Sequence, residues 1–335
     1  MDRLENVVRE RLRFAARTPV RRGVLRELGL GDADLRRLVR RKHLHHHHGH
    51  YLDGRVDVHL AVIACAAAAY PGSVVSHFSA ARLAGLRVWT DARRSSAVPI
   101  DATWLTWPPT AMRNQRRPDV VVRRPGLPPG DVSHHDQLSV TSLARTVVDL
   151  ARELPVREAI VTVDHALFLG TPVTELQAVV ARQQRWPGSL NARAAIDFGD
   201  ARSESVLESL ARRAFAAAGL PAPELQVQFF DGFGWMPERV DFYWPRFRTV
   251  AEADGLAKYE ADTPAERRRR MRRSHRRDQR LADRGVELVH FGWEDAVATS
   301  SDLSARLRAA FIRGTSRTTA APTWRVAPRD PAQVA

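Results

Sequence analysis

The sequence predicts a multidomain protein of mixed α/β (α+β) class, and three observations indicate this. The 335 residues exceed a single typical domain, and a hydrophobic content of 44% is enough for sizeable cores. Helix-like and strand-like segments also alternate between Pro and Gly punctuation. We divide the chain into an N-terminal domain 1–55, a middle α/β domain 56–198, a third domain 199–297 and a tail 298–335.

Residues 1–55 have the pattern of a winged helix-turn-helix. A first helix is predicted at 3–16, and "RRGVLRELGL" is a short helix that ends at Gly29. "GDADLRRLVRRKH" starts a further helix with Asp32 as its N-cap. "HLHHHHGHYLDG" then forms a short hairpin in the position of a wing.

The helix that begins near Asp32 presents a basic surface. Leu35, Leu38 and Val39 lie at helical spacing and face a core. The remaining surface carries five basic residues, which are Arg36, Arg37, Arg40, Arg41 and Lys42. A DNA-contacting helix and a solvated charged helix face both explain this pattern.

Six histidines lie in the predicted wing, namely His43, His45, His46, His47, His48 and His50. Side chains alternate along a strand, so the cluster is split between two faces. We therefore expect an exposed wing whose charge rises below about pH 6.5, rather than one metal site.

The middle domain alternates helices and strands. "VHLAVIACAAAAY" and "FSAARLAGL" are predicted helices, and "AVPIDATWLTW", "PDVVVRRP" and "DVSHHDQLSV" are predicted strands. Four helices follow, the first capped by Thr141 or Ser142: "TSLARTVVDLAREL", "VREAIVTVDHALF", "VTELQAVVARQQRW" and "NARAAIDFG". No ligand cluster is evident, and His134 and His135 are expected on a strand surface.

The third domain begins with the amphipathic helix "SESVLESLARRAFAAAGL". Three strands follow, "ELQVQFF", "ERVDFYWP" and "RTVAEADG", then the basic helix "AERRRRMRRSHRRDQRLADRG" and the strand "VELVHFGW". After a short helix at 301–312, the Thr/Ser/Pro/Arg-rich tail is predicted to be disordered.

Three acidic residues lie close together in the second and third strands of this domain. Glu252 and Asp254 share one face of a strand, and Asp241 can meet them if its strand pairs antiparallel through the "WPRF" turn. Burying three carboxylates together is costly unless a positive group neutralises them. Mg²⁺ suits carboxylate oxygens and can activate water against a phosphate. We therefore expect Mg²⁺ bound by Asp241, Glu252 and Asp254.

Other side chains near this cluster are candidate catalytic residues. Lys258 is one of two lysines among 52 basic residues, and a lysine is a compact charge with an adjustable pKa. It can stabilise developing negative charge or orient a water. Glu204 and Glu208 lie one turn apart on the preceding helix, and either can complete the metal shell.

An ion-pair network is the alternative explanation of these acids. In that case Asp241 and Glu252 pair with Arg239 or with arginines of the 267–280 helix. That helix has nine arginines among residues 266–280.

The formal net charge of +14 favours a polyanionic partner, although a membrane surface or an acidic protein is served equally well by charge alone. Cys65 is the single cysteine, which suits a reducing cytoplasm. The N-terminus has no secretory signal pattern, and the longest apolar run, at 60–70, is too short to span a bilayer. We expect a cytoplasmic protein that binds nucleic acid and not a membrane.

Several short motifs, in order, carry a resemblance to a known family. "ESVLESLARRAF", "RVDFYWP", "AEADGLAKY", "RRDQRLADRG" and "VELVHFGWEDA" resemble the endonuclease-like domain related to very-short-patch repair endonucleases, of the PD-(D/E)XK fold. "VVSHFSAARLAGL" and "LSVTSLARTVVDLARELP" resemble the middle domain of AbiEi-like antitoxins of type IV toxin–antitoxin systems. The resemblance covers residues 15–297.

The resemblance implies a restriction-endonuclease-like αβββαβ domain. Asp241 falls on the motif aspartate, Glu252 on the (D/E) position, and Glu204 or Glu208 on the acid of the first helix. Asp254 stands where the motif has lysine, and Lys258 is a displaced candidate for that role.

Two functions follow from these patterns. The first is a DNA-binding, Mg²⁺-dependent endonuclease whose basic helix grips phosphates through Arg269, Arg272, Arg273 and Arg276. The second is a non-catalytic AbiEi-like antitoxin and transcriptional regulator that binds its own promoter and has a cognate toxin as partner. RNA is a weaker alternative ligand, because the basic helices lack interleaved aromatic residues.

Overall fold

The computed structural model describes residues 18–91, 98–107, 119–254, 263–298 and 302–328. Within these residues the protein has twelve α-helices and three β-sheets, which confirms the mixed α and β class. No helix in the described part of the chain combines the length and the apolar character needed to cross a membrane.

The chain divides into two compact units. The first unit contains the described residues up to Pro155 and the segment Val173–Arg193. The second unit contains Val156–Pro172 and the described residues from Ala194 onward. The predicted middle region, 56–198, therefore contributes residues to both units.

The helices follow the predicted order. In chain order they are α1 (Arg22–Glu27), α2 (Asp32–Arg40), α3 (Val58–Ala69), α4 (His77–Leu83), α5 (Leu143–Glu153), α6 (Val156–Phe168), α7 (Val173–Arg182), α8 (Ser189–Phe198), α9 (Val206–Ala217), α10 (Pro264–Asp283), α11 (Trp293–Val297) and α12 (Leu303–Thr315). The hydroxyl of Ser142 caps α5 by accepting from the backbone N–H of Arg145, which decides between the two predicted caps. The helix expected at 3–16 lies outside the described residues.

The strands are short and form three separate sheets. They are β1 (Val20–Arg21), β2 (Leu44–His47), β3 (His50–Asp53), β4 (Val74–Val75), β5 (Thr103–Thr106), β6 (Val120–Arg123), β7 (Val132–His135), β8 (Leu138–Thr141), β9 (Glu224–Phe229), β10 (Val240–Trp244), β11 (Thr249–Ala253), β12 (Glu287–Phe291) and β13 (Trp324–Val326). The strand orders are β1-β3-β2, β6-β5-β4-β8-β7 and β12-β11-β10-β9-β13. The two-residue strand β4 was not predicted, because two residues carry no measurable periodicity.

The N-terminal elements pack around one small apolar core. Leu25 of α1 and Leu35 and Leu38 of α2 meet Leu44 and Tyr51 of the hairpin in this core. The predicted hairpin is confirmed, since β2 and β3 pair antiparallel. Its turn residues have φ values of 52° and 77°, as a two-residue hairpin turn of type I′ requires.

The prediction that Asp32 caps α2 is wrong. The N-cap position is Gly31, whose backbone N–H donates to the carboxylate of Asp34 at 3.1 Å. Asp32 instead accepts from Arg22 and Arg26 of α1, with the Nε of Arg22 at 2.8 Å. The carboxylate of Asp32 therefore pairs with arginines of α1 instead of capping α2.

In the second unit, α9 and α10 cover opposite faces of one sheet. Phe215 of α9 packs edge-on against Phe242 and Trp244 of β10, with ring centroids 5.2 and 5.3 Å away. Leu281 of α10 belongs to the same core as Tyr243, on the other face of β10. The observed order α9-β9-β10-β11-α10-β12 agrees with the predicted order αβββαβ.

The short helix predicted at 301–312 is observed as α12, whereas the predicted disorder of the tail beyond it is wrong for the strand β13. Helix α12 packs Phe311 against Phe247 with ring centroids 4.3 Å apart. Strand β13 pairs antiparallel with β9, and Trp324 packs edge-on against Tyr243. The polar composition suggested disorder, but one aromatic side chain and a free sheet edge are enough to order this strand.

Candidate functional site

A row of polar side chains crosses the sheet of the second unit. Strands β10 and β11 pair antiparallel with Phe242 opposite Ala251, so one further step of that register places Asp241 opposite Glu252. Strands β11 and β12 run parallel, and Glu252 pairs with His290. Paired side chains point to the same face of a sheet. The fold therefore brings Asp241, Glu252 and His290 together.

Asp241 is held against the neighbouring strand. Its Oδ2 atom accepts a hydrogen bond of 2.8 Å from the backbone N–H of Ala253. Of the three acids predicted on these strands, Asp241 and Glu252 are the ones on opposing positions of β10 and β11.

Glu208 approaches this row from the first turn of α9. It is only 6% exposed, and its Oε2 atom accepts from the side-chain amide of Gln226 at 3.0 Å. The same oxygen accepts from the backbone N–H of Glu204 at 2.9 Å. Ser205 caps the helix by accepting from the backbone N–H of Glu208. These contacts fix the position of the buried carboxyl group.

The acids of this cluster destabilise each other's charged forms. Burial, and then the negative charge of Asp241, raise the pKa of Glu252 to about 8, although the guanidinium of Arg277 opposes this shift. Burial and the charge of Asp241 also raise the pKa of Glu208 to about 7. A cation placed between Asp241 and Glu252 would lower this repulsion.

Two ion pairs show where the ion-pair alternative applies. Arg277 of α10 donates to Glu252 Oε1 at 2.7 Å, as that alternative expects. The Nη1 and Nη2 atoms of Arg239 donate to both carboxylate oxygens of Glu204, at 2.8 and 2.7 Å. Glu204, a predicted metal-shell residue, is therefore engaged by a guanidinium.

Asp254, the third predicted metal ligand, interacts with His290. Its Oδ2 atom lies 3.3 Å from His290 Nδ1, and Asp278 lies 3.2 Å from the other ring nitrogen. The hydrogen bond with Asp254 and the charges of both carboxylates raise the pKa of His290. The histidine is therefore favoured in its protonated form between the two acids.

Asp241 and Glu252, on opposing positions of β10 and β11, are the candidate donor pair for a metal ion. Across the described ranges, no group of three or more His, Cys, Asp or Glu side chains is arranged to hold a metal. Mg²⁺ is usually held by one or two carboxylates, with water and substrate phosphates as the other ligands. The two opposing carboxylates fit that requirement. Lys258 lies outside the described residues.

A groove of about 870 Å³ runs along α10. Four arginines of α10 line it, which are Arg273, Arg276, Arg277 and Arg280. Its lining also includes His290 and the three acids Glu238, Asp254 and Asp278, and Glu238 pairs with Arg280. The four arginines outnumber the three acids, so the groove has a small excess of positive charge.

Helix α10 is exposed along much of its length. Thr263 and Glu266 form a capping box at its start, and Pro264 occupies the first turn. Met271 is 63% exposed, and buried packing is found at Leu281 near the C-terminal end. The four arginines predicted to grip phosphates are all exposed, namely Arg269, Arg272, Arg273 and Arg276.

The basic surface predicted on α2 is present in the first unit. Arg36, Arg40, Arg41 and Lys42 are exposed. Arg37 is half-buried and lies 3.7 Å from the carboxylate of Asp34 on the same helix.

The histidines of the hairpin are split between two faces, as expected. The rings of His45 and His47 stack 6.1 Å apart on one face, while His46 stacks on Tyr51. His45 Nε2 also lies 2.9 Å from the carbonyl oxygen of Val56. The wing was predicted to be exposed, but His50 is buried and the side chain of His48 is only 3% exposed, so this prediction is wrong for these two histidines.

Arg277, Asp278 and His290 were not identified from the sequence. Each lies in a quoted motif, but the contacts between α10 and β12 form only when the helix packs against the sheet, and the sequence does not show this packing. The sequence contained one usable signal, because the acidic Asp278 directly follows the basic Arg277 in a helix that is otherwise rich in arginine.

No protein-family model matches the chain. Two curated relatives from Mycobacterium tuberculosis are similar to half of it. Uncharacterized protein MT2308, from strain CDC 1551, and Uncharacterized protein Rv2248, from strain H37Rv, are each 35% identical over 168 residues, which is 50% of this chain and 59% of the relative. The chain thus spans about three fifths of the length of these relatives. Their names state no activity.

Proposed function

We propose that this protein binds DNA and that its second unit hydrolyses phosphodiester bonds with Mg²⁺ as cofactor. The observation that carries the proposal is the pair Asp241 and Glu252 together with Arg277, which contacts Glu252 and lines an arginine-rich groove. Buried acids with raised pKa values beside a groove are typical of functional sites. A positively charged groove attracts a polyanion.

In this proposal Asp241 and Glu252 bind the cofactor. When bound, Mg²⁺ supplies Lewis-acid activation of the phosphate and of the attacking water. Glu208 accepts the proton of that water through Oε1, because its Oε2 atom already accepts two hydrogen bonds. A pKa of about 7 suits Glu208 for proton transfer at neutral pH.

The arginines of α10 supply the grip on the phosphate backbone. Arg269, Arg272, Arg273 and Arg276 are exposed on this helix. Each phosphate contact releases a counterion, so binding should weaken steeply as salt is added.

In the first unit, residues 18–55 act as a winged helix-turn-helix in this proposal. Helix α2 would enter the major groove with Arg36, Arg37, Arg40, Arg41 and Lys42, and the β2–β3 hairpin would serve as the wing. The burial of Cys65 raises the pKa of its thiol to about 11, and an unreactive single thiol is compatible with our proposal of a cytoplasmic location.

Plasmid cleavage tests the catalytic proposal. We expect Mg²⁺-dependent nicking by the wild-type protein and loss of nicking in Glu252→Gln and Asp241→Asn. Glu294→Gln is the matched control, because Glu294 is an exposed acid of the same unit. Cleavage that persists in Glu252→Gln, or that does not need a divalent ion, contradicts the proposal.

A second candidate function is a non-catalytic AbiEi-like antitoxin and regulator that binds its own promoter and a cognate toxin. The Arg277–Glu252 ion pair favours it, because a guanidinium already neutralises one of the two acids. Mobility shifts on the upstream DNA test this candidate. It fails if replacing Arg36, Arg37, Arg40 and Arg41 by Ala leaves promoter binding intact.

A further inference from the structure

Arg277 occupies a special position among the arginines of α10. Its side chain is 23% exposed, whereas the adjacent Arg276 is exposed. Its Nη2 atom donates to Glu252 Oε1 at 2.7 Å and also to the backbone carbonyl oxygen of Arg239. The guanidinium thus contacts one acid of the proposed metal site and also lines the groove beside it.

The other arginines near the acid pair have different partners. Arg239 forms a bidentate pair with Glu204, and Arg280 pairs with Glu238. Among these three arginines, Arg277 is the one that donates to Glu252.

We propose that Arg277 binds the scissile phosphate of the nucleic acid, and that it exchanges Glu252 for this phosphate when a divalent cation binds between Asp241 and Glu252. The inference rests on the proposed function, and it names the residue that contacts the phosphate. A guanidinium binds a phosphate through two parallel hydrogen bonds, so the exchange replaces one charged partner by another.

The exchange follows from electrostatics at Glu252. The Oε1 atom of this carboxylate contacts Arg277, and a divalent cation on the same carboxylate repels the guanidinium. The groove offers Arg277 a second position, because the side chain already lines it. A phosphate in the groove stabilises that position.

The exchange links the two ligands. A cation that releases Arg277 makes phosphate binding stronger, and by thermodynamic reciprocity DNA makes cation binding stronger by the same factor. Arg280 provides the comparison, because it also lines the groove and forms an ion pair, but with Glu238. A cation between Asp241 and Glu252 has no contact with that pair to break.

Fluorescence anisotropy with a labelled DNA duplex tests the proposal in the full chain. Ca²⁺ is the probe, because it binds carboxylates without supporting rapid hydrolysis. We expect Ca²⁺ to tighten DNA binding by the wild-type protein, and we expect Arg277→Met to reduce this tightening by about tenfold. Arg280→Met should weaken DNA binding to the same extent with and without Ca²⁺. Equal tightening in Arg277→Met and the wild-type protein overturns the proposal.

Arg277→Lys serves as a second variant if Arg277→Met does not fold. It keeps the charge but lacks the two-pronged hydrogen bonding of arginine, so we expect a partial loss of the Ca²⁺ effect. An undiminished Ca²⁺ effect in Arg277→Lys, when Arg277→Met cannot be measured, also overturns the proposal.

Calorimetric titration with Ca²⁺ separates this proposal from the proposed function. If the wild-type protein binds no Ca²⁺, both fail together. If it binds Ca²⁺ and cleaves DNA with Mg²⁺, but Arg277→Met retains the full Ca²⁺ effect on DNA binding, only the role of Arg277 is wrong.

Discussion

Two buried charged clusters, one in each unit, differ in how their acids are paired. In the first unit, Arg145 is 1% exposed and donates to Asp149 at 2.7 Å and to Asp131 at 3.0 Å. Arg152 and Arg182 donate to the second oxygens of the same two acids. Each buried carboxylate is therefore contacted by two guanidinium groups.

The second unit brings three acids together at a buried cluster. Glu208, Asp241 and Glu252 lie near one another, and Arg277 contacts Glu252. Glu208 takes its hydrogen bonds from an amide and a backbone N–H, neither of which carries a charge. The first cluster, in which each acid has two guanidinium partners, can be explained by folding alone. Buried acids that raise each other's pKa values, as in the second cluster, are typical of functional sites.

The largest expected effect is a loss of stability when the Arg145 cluster of the first unit is disrupted. Arg145→Met leaves Asp131 and Asp149 buried with one guanidinium each, and should lower the free energy of unfolding by about 3–5 kcal/mol. Arg182→Met is the control, because the Arg182 side chain is 50% exposed and should cost less than about 1 kcal/mol. Urea denaturation measures both. If both variants lost a similar free energy of unfolding, the buried Arg145 would contribute no more to stability than the exposed Arg182, which would contradict this prediction.

The second expected effect is that a substitution in the acidic cluster of the second unit lowers activity much more than stability. Glu252→Gln removes a metal ligand, so Mg²⁺-dependent cleavage should fall by at least about 100-fold. Stability should change by less than about 1.5 kcal/mol, since the amide can still accept from Arg277. Cleavage assays and urea denaturation of the same preparation measure the two quantities. If Glu252→Gln lost stability as well as activity, the acidic cluster of the second unit would contribute to folding in the same way as the Arg145 cluster.

The third expected effect is an unusual pH dependence of stability. The pKa values of Glu208 and Glu252 are raised from 4.5 to about 7 and about 8, so the folded protein binds more protons than the unfolded chain. Their contribution to stability is complete below pH 4.5 and is lost as pH rises through 7 and 8. Relative to Glu208→Gln/Glu252→Gln, the wild-type protein should therefore become less stable over this window. Denaturation at several pH values measures this, and a constant difference contradicts it.

The smallest expected effect concerns a single phosphate contact. Replacing Arg272, which is exposed on α10, should reduce the slope of log K for DNA against log salt by about 0.9. Anisotropy titrations at several salt concentrations measure the slope. An unchanged slope indicates that this side of α10 does not contact DNA.

Local patterns predicted most of the elements. The apolar spacing and the Ser142 cap predicted α5, and the alternation in "VDFYW" predicted β10. Strand β13 escaped prediction because its order depends on the edge of β9, a partner distant in the chain. Composition alone cannot show such a partner.

The sequence predicted which acidic residues belong to the candidate site, but it did not predict which side chains they contact. The proximity of Asp241 and Glu252 follows from an antiparallel hairpin, which is a local feature. The contacts of Glu252 with Arg277 and of Asp254 with His290 depend on how α10 and β12 return to β11. These choices are set by the packing of whole elements, so one-dimensional spacing could not identify them.

Diffraction from crystals soaked in Mn²⁺ can show whether a divalent cation binds at the two opposing carboxylates. We expect an anomalous peak between the carboxylate oxygens of Asp241 and Glu252, with Arg277 moved into the groove. Absence of a peak at high Mn²⁺ concentration, with Arg277 still bonded to Glu252, would contradict this expectation.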